Sequence, residues 1–337
     1  MSEKLSHSTY RMTGRPSLRS FAAVVGKKEG EGPLGPCFDQ VFEDTTLGME
    51  TWEKAESQLQ KEAVSLALKK AELLNSQIDV LFAGDLLNQC IGSSFGLREL
   101  NIPFVGLYGA CSTMAESLAL ASLFADNRLA DHAMAVTSSH FASAERQFRF
   151  PLEYGGVRTP TAQWTVTGSG AAVVSADGEG PYVRGVTLGR IQDMGINDIN
   201  NMGAAMAPAA ASTIKQYLMD TGTRPQDYDG IYTGDLGMVG SELLLQLLSR
   251  EDVNLEGVHQ DCGLLIFDRE RQDVHAGGSG CGCSGSVLCG HILPRLREGS
   301  LKNVLFIATG ALMSPTSMQQ GETIPSIAHL VHLSREP

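Results

Sequence analysis

The sequence predicts an α/β protein built from two copies of one unit, and three observations predict it. Short apolar runs bounded by Gly, Asp or Pro alternate with helical patterns along the chain. Two segments, 79–86 (DVLFAGDL) and 229–236 (DGIYTGDL), share Asp, Gly, Asp and Leu in register. A second pair, Cys111-Ser112 and Cys283-Ser284, follows in the same order, and extending that register without gaps lays 132–137 on 304–309. Alternating strands and helices imply sheets covered by helices. The turn signal DGEGP at 177–181 falls near mid-chain and divides the protein into halves 1–176 and 177–337.

The first half offers buried strands at 21–25, 80–83, 103–107, 133–136 and 173–174. The second offers 183–188, 231–232 and 304–308. Between 52 and 74, Trp52, Ala55, Leu59, Ala63, Leu66, Ala67, Leu73 and Leu74 recur at three- and four-residue steps, one face of an amphipathic helix. Further helices are expected over 203–219 and 241–248. Residues 27–36 (KKEGEGPLGP) read as a charged Gly/Pro excursion.

Composition narrows the function. The 337 residues carry a net charge of −12, with 42% hydrophobic and 19% charged residues. Such a chain can build a core and is not disordered. Its acidity argues against sequence-independent nucleic-acid binding and against electrostatic docking on anionic lipid. The 37 glycines exceed the usual ~7% and imply tight turns or close backbone approaches. Seven cysteines, an odd number, point to reduced thiols. Residues 1–19 lack an apolar signal region, and no apolar run approaches the ~18 residues of a spanning helix.

Three segments carry candidate chemistry. In 109–125 (GACSTMAESLALASLFA), Cys111 opens a helix that is small and apolar nearly all round, hence buried. A helix N-terminus there would favour a thiolate or a bound carboxylate; the alternative is a small core residue. The run 275–286 (HAGGSGCGCSGS) would expose backbone N–H groups or let another segment pass closely. Cys281, Cys283, Cys289 and His291 do not have a structural zinc spacing, so no metal is expected. The third segment, 192–203, is rich in short polar side chains. It reads either as a capping loop or as a pocket wall, with Asp193 and Asp198 as calcium or pocket ligands.

Taken together, the duplicated unit, Cys111 before a buried helix and the Gly/Ser-rich turn before its counterpart resemble the thiolase fold. Residues 83–92 are similar to the segment before the thiolase nucleophile. Residues 201–206 resemble the Met-Gly loop of β-ketoacyl synthases, and 167–174 resemble their Gly-Ala strand. The expected architecture is two βαβαβαββ halves in five αβαβα layers. Within that superfamily, 109–117, 155–168 (GGVRTPTAQWTVTG) and 200–210 resemble the stage V sporulation protein AD family. That resemblance implies a protein of endospore-forming bacteria that binds dipicolinic acid, or its calcium complex, for uptake into the spore, with release from it as a further expected role. It also implies membrane partners from the same operon, a homodimer and a peripheral place at the inner membrane of the forespore or spore. No cofactor is implied beyond calcium entering with the ligand.

The departures from the enzymes matter. Cys111 takes the nucleophile position, but the partner positions fall on Asp235 and near Ser279, where no imidazole stands. Without a base of the usual type, condensation loses its main contributors. The resemblance therefore implies a binding protein on a catalytic scaffold. The expected pocket comprises Cys111, Ser139, His140, Asp193, Asp198, Asn200, Asn201, Asp235 and Ser279, with Phe148 or Trp164 stacking on the pyridine ring. The enzyme alternative is an acyl transferase from acyl-CoA or acyl-carrier protein with Cys111 as nucleophile. The structural alternative is a scaffold with a vestigial pocket.

Overall fold

Two five-stranded sheets with one strand order organise the computed structural model, which describes residues 1–148 and 157–337. The first sheet contains β1 (Ser17–Gly26), β2 (Val80–Gly84), β3 (Phe104–Leu107), β4 (His132–Ser139) and β5 (Gly168–Ser175). The second contains β6 (Tyr182–Thr187), β7 (Gly230–Thr233), β8 (His259–Asp261), β9 (Asn303–Ala311) and β10 (Ser326–Ser334). The first runs β3-β2-β4-β5-β1 and the second β8-β7-β9-β10-β6. In each, the first three strands are parallel and the last two pair antiparallel. The sheets join where Ser17 pairs with Tyr182.

The helices around these sheets include α1 (Trp52–Ala71), α2 (Ile91–Leu97), α3 (Thr113–Asp126), α4 (Phe141–Phe148), α5 (Met202–Thr221), α6 (Gly237–Ser249) and α7 (Cys281–Val287). Helix α1 starts at Thr51, whose Oγ1 accepts the Lys54 N–H at 3.3 Å. Its buried stripe of Ala55, Leu59, Ala63 and Ala67 packs on the first sheet. Helices α5 and α6 cover the outer face of the second. Between the sheets lie α3, with a largely buried surface, and α7, which is buried throughout. The result is the expected five layers.

The repeat is visible in single hydrogen bonds. Asp79 Oδ2 accepts the Asp131 and His132 N–H groups before β4. Asp229 Oδ2 accepts the Lys302 and Asn303 N–H groups before β9 in the same way. Both aspartates end the loop that leads into the neighbouring parallel strand.

Two expectations need correction. Strands β8 and β10 were not expected from the sequence. In β10 (SIAHLVHLS) the histidines break up the apolar run, yet His329 is buried and the strand pairs along its length with β9. Residues 27–36 are no excursion. Glu29 is buried and accepts the Thr167 N–H at 2.9 Å, while Gly32 sits so close to the Ile266 carbonyl that a Cβ would lie 2.1 Å from it. The glycine excess likewise has a place. A Cβ on Gly170 of β5 would stand 2.2 Å from the Gly285 carbonyl of α7, so the central helix lies directly on the strand.

Burial sets an unusual pH response. Desolvation pushes the Glu29 and Asp261 carboxyls up to about 7 and holds His259 and His329 down at about 4. A raised carboxyl stabilises the fold fully below its ordinary value, and this contribution is lost as pH rises through the folded value. The lowered histidines contribute above their ordinary value and lose that contribution as pH falls. Above pH 6.5 the histidine contribution is nearly complete and the carboxyl loss continues. Unfolding free energy should therefore fall by on the order of 1–2 kcal/mol between pH 6.5 and 8. Glu56, raised to about 8, adds to that fall, so Glu29→Gln, which keeps an acceptor for Thr167, should make the slope shallower without abolishing it in urea titrations at the two pH values.

Candidate functional site

The site forms where strand ends of both sheets meet the turn before α3. Ala110 has φ of +53°, a left-handed conformation that costs a residue with a Cβ on the order of 1 kcal/mol. This sharp turn leads directly into Cys111, which lines a cavity. It is clamped by its own side chains, with Ser112 Oγ donating to the Gly109 carbonyl and Thr113 Oγ1 to that of Ala110. Gly310 at the end of β9 packs against it, since a Cβ there would stand 2.5 Å from the Gly109 carbonyl.

Asp235 follows β7 and is fully buried. Its Oδ2 accepts the Gly280 N–H at 2.9 Å and the Ser279 hydroxyl at 3.3 Å, and its Oδ1 accepts the Thr309 hydroxyl at 2.9 Å. Gly280 reaches this position with φ of +100°, which favours glycine. The Cys111 thiol lies against the same carboxylate and against Ser279 and Gly280. Cys111, Asp235 and Ser279 are thus brought together from three separate stretches of chain.

The electrostatics reverse the thiolate expected at a helix N-terminus. Burial, then the Asp235 carboxylate, pushes the Cys111 thiol well above its ordinary value. Asp235 itself is raised to about 6 by burial, against the pull of its hydrogen-bond donors. Around neutral pH the pair is a protonated thiol beside a mainly ionised carboxylate.

A cavity of about 700 Å³ opens onto Cys111. Leu86, Tyr108, Phe148, Met202 and Met313 give it apolar walls, and Asn88, Gln147, Ser314 and Ser317 add neutral polar groups. None of the described lining residues is charged. At the mouth, the half-exposed Tyr108 donates its hydroxyl to Asn88 Oδ1 at 2.9 Å. The wall at 311–317 escaped the sequence reading. Its signal was the Ser-Pro step at 314–315, where Ser314 caps a short helix, Pro315–Gln319.

The remaining expected pocket residues divide. Phe148 lines the cavity. Ser139 sits behind Gly282, donating to the Val166 carbonyl at 2.7 Å and accepting the Gly282 N–H. His140 is buried elsewhere: Nε2–H donates to the Thr45 carbonyl and Nδ1 accepts the Ala142 N–H, which makes it a neutral positioning group. Trp164 has no free face, being stacked on Phe141 at 3.8 Å and covered by Lys28 at 3.6 Å. Asp193 and Asp198 are exposed and hold their own loop, Asp193 through Thr323 and the Gly195 N–H and Asp198 through the Asn200 N–H. Asn200 lies in that loop. Asn201 caps α5 by accepting the Ala204 N–H, which places the next residue, Met202, at the cavity. These groups therefore do not converge on Cys111 as a calcium shell. Residues 155 and 156 of the GGVRTPTAQWTVTG motif lie outside the described residues. Among the described residues, no three His, Cys, Asp or Glu side chains converge to hold a metal ion.

The comparisons with known proteins separate family from fold. Residues 6–334 match the family described as stage V sporulation protein AD. The chain belongs to that family. A curated relative, stage V sporulation protein AD of Bacillus subtilis (strain 168), is 48% identical over 318 residues, covering 94% of each chain. Among solved structures, 3-oxoacyl-[acyl-carrier-protein] synthase III from Aquifex aeolicus VF5 is similar with a TM-score of 0.59 at 13% identity, over 95% of this chain and 99% of that one. Cerulenin-bound OleA from Xanthomonas campestris reaches 0.61 at 13% identity, over 96% and 99%. At such identity these structures establish the thiolase-like fold alone.

The pairing of Cys111 with Asp235 has a direct chemical readout. Iodoacetamide at pH 7.5 should label the exposed Cys37 and leave Cys111 largely unmodified. Asp235→Asn, which removes the adjacent charge, should speed labelling of Cys111 by about tenfold. Peptide-resolved mass spectrometry measures both; an unchanged rate would show that burial alone sets the thiol's reactivity.

Proposed function

We propose that this family member is a non-catalytic thiolase-fold protein that binds dipicolinic acid, or its calcium complex, in the cavity at Cys111. The binding serves uptake of the ligand into the endospore. The observation that carries the non-catalytic reading is the Asp235 carboxylate beside Cys111. It opposes thiolate formation, the step an acyl-transfer nucleophile needs. The uncharged described lining suits a neutral calcium chelate better than a free dianion, which a protein of net charge −12 also repels. The lining of the cavity by Phe148 and Tyr108 supports a contact with the pyridine ring.

Titration calorimetry with dipicolinate, alone and with equimolar calcium, tests the reading. Saturable binding is expected, stronger with calcium, and lost when Met313→Trp fills the cavity. Absence of heat with either form sinks the proposal. Incubation with acetyl-CoA should leave the intact mass unchanged; a gain that disappears in Cys111→Ser would reinstate the acyl transferase.

The protein is further proposed to act as a homodimer, peripheral at the inner spore membrane and held by membrane proteins of the same operon. Among the described residues, no helix is long and apolar enough to cross a membrane. Strand β3 ends the first sheet, with Phe104 and Val105 40% and 41% exposed. Such an open apolar edge favours pairing with a second copy. Sedimentation equilibrium should give a dimer, and Val105→Lys should shift it to monomer.

A further inference from the structure

A second cavity, of about 190 Å³, lies where the short strand Thr9–Arg11 pairs with β6, beside the C-terminal turn of α5. It shares no lining residue with the cavity at Cys111. Arg11, Arg184, Tyr10, Tyr217, Tyr228 and His332 surround it.

Hydrogen bonds preset its floor. Asn303 Nδ2 donates to the Asp227 carbonyl, so its Oδ1 faces His332 Nε2 and accepts that proton. His332 Nδ1 is therefore the acceptor for the Tyr217 hydroxyl at 2.7 Å. Burial, then the Arg184 charge, holds His332 at about 3, so the ring stays neutral. The Tyr228 hydroxyl pairs with Thr223 Oγ1 at 2.9 Å. The floor is thus a neutral aromatic surface.

Two arginines line the rim, and the Asp227 carboxylate acts on Tyr228. Arg11 and Arg184 both act on the Tyr217 phenol, which places both guanidinium charges near the cavity. The Arg184 guanidinium has no ion-pair or hydrogen-bond partner among the described residues. Arg11 has only Glu3, at 3.0 Å, with both side chains about half exposed. An exposed pair of that kind contributes little and yields readily to a competing anion.

We propose that this cavity is a second ligand site that takes a small aromatic carboxylate. The two guanidinium groups match a carboxylate in shape and charge. The tyrosine rings match an aromatic body packed edge to face. The volume is below the roughly 300 Å³ at which sites for larger ligands begin, which restricts the guest to about one ring. The inference is independent of what fills the cavity at Cys111.

Benzoate is the probe, titrated into the full chain and followed by saturation-transfer NMR and calorimetry. Saturable binding is expected, weakened about tenfold or more by Arg184→Gln. Arg11→Gln, a change at an exposed side chain, should weaken it too and serves if Arg184→Gln fails to fold. Met313→Trp should leave it unchanged. No saturable binding overturns the proposal. So does binding that Met313→Trp abolishes and the arginine variants spare, because benzoate then occupies the cavity at Cys111. Inorganic phosphate binding as tightly as benzoate overturns the aromatic carboxylate class and leaves a simple anion site.

Discussion

The buried carboxylate of Asp235 is the interaction on which the site depends. A buried anion needs donors, and Asp235 draws them from the Gly/Ser turn before α7, through Ser279 and Gly280, and from β9, through Thr309. Satisfying this one group fixes two elements of the second half against the Cys111 turn of the first. The same requirement explains the glycine at position 280, where a side chain would meet both the backbone conformation and Ser139. It also determines the chemistry. A carboxylate in this place suppresses the thiolate that an imidazole would encourage.

The duplication makes the comparison internal. Asp85 stands in the first half where Asp235 stands in the second. It too is buried, and it accepts the Leu87 N–H, the Ser93 N–H and the Ser93 hydroxyl. Near it lies Glu56 on α1, held by the Ser138 and Ser143 hydroxyls. Burial raises both carboxyls, and the neighbouring Asp85 charge raises Glu56 further. The two copies thus keep one motif for two purposes. In the first half it anchors α2 to the sheet, and Asp85 itself does not line the cavity at Cys111, although Leu86 after it does. In the second it sits beside the cavity-lining cysteine.

Much of the fold was legible in the residues. The paired DVLFAGDL and DGIYTGDL segments carry the aspartates that tie parallel strands together, so their likeness reports a shared hydrogen-bonding task. Strand β10 was hidden because burial of histidine runs against its usual polarity, and only pairing with β9 and β6 makes room for it. The cavity was half legible. Cys111, Asp235 and Ser279 stood out through their places in the repeat. Met202, Met313 and Ser317 did not, because apolar and small polar residues at a strand end look alike whether they face a core or a hollow. Asp193, Asp198 and Trp164 misled for the converse reason: carboxylates and aromatic rings suggest ligands, but their partners here are the Thr323 hydroxyl, loop N–H groups, Phe141 and Lys28.

By itself the sequence determined the α/β class, the repeat, the family resemblance and the absence of an imidazole at the positions matched to the catalytic partners. These follow from residue order, periodicity and identity, which need no coordinates. The tertiary structure alone decided the protonation state of Cys111, the uncharged character of the described cavity lining and the existence of a hollow beside β6 lined by two arginines and three tyrosines. Each depends on distances between residues far apart in the chain. The cost of burying a charge, and the donors that offset it, exist only once the two halves have closed on one another.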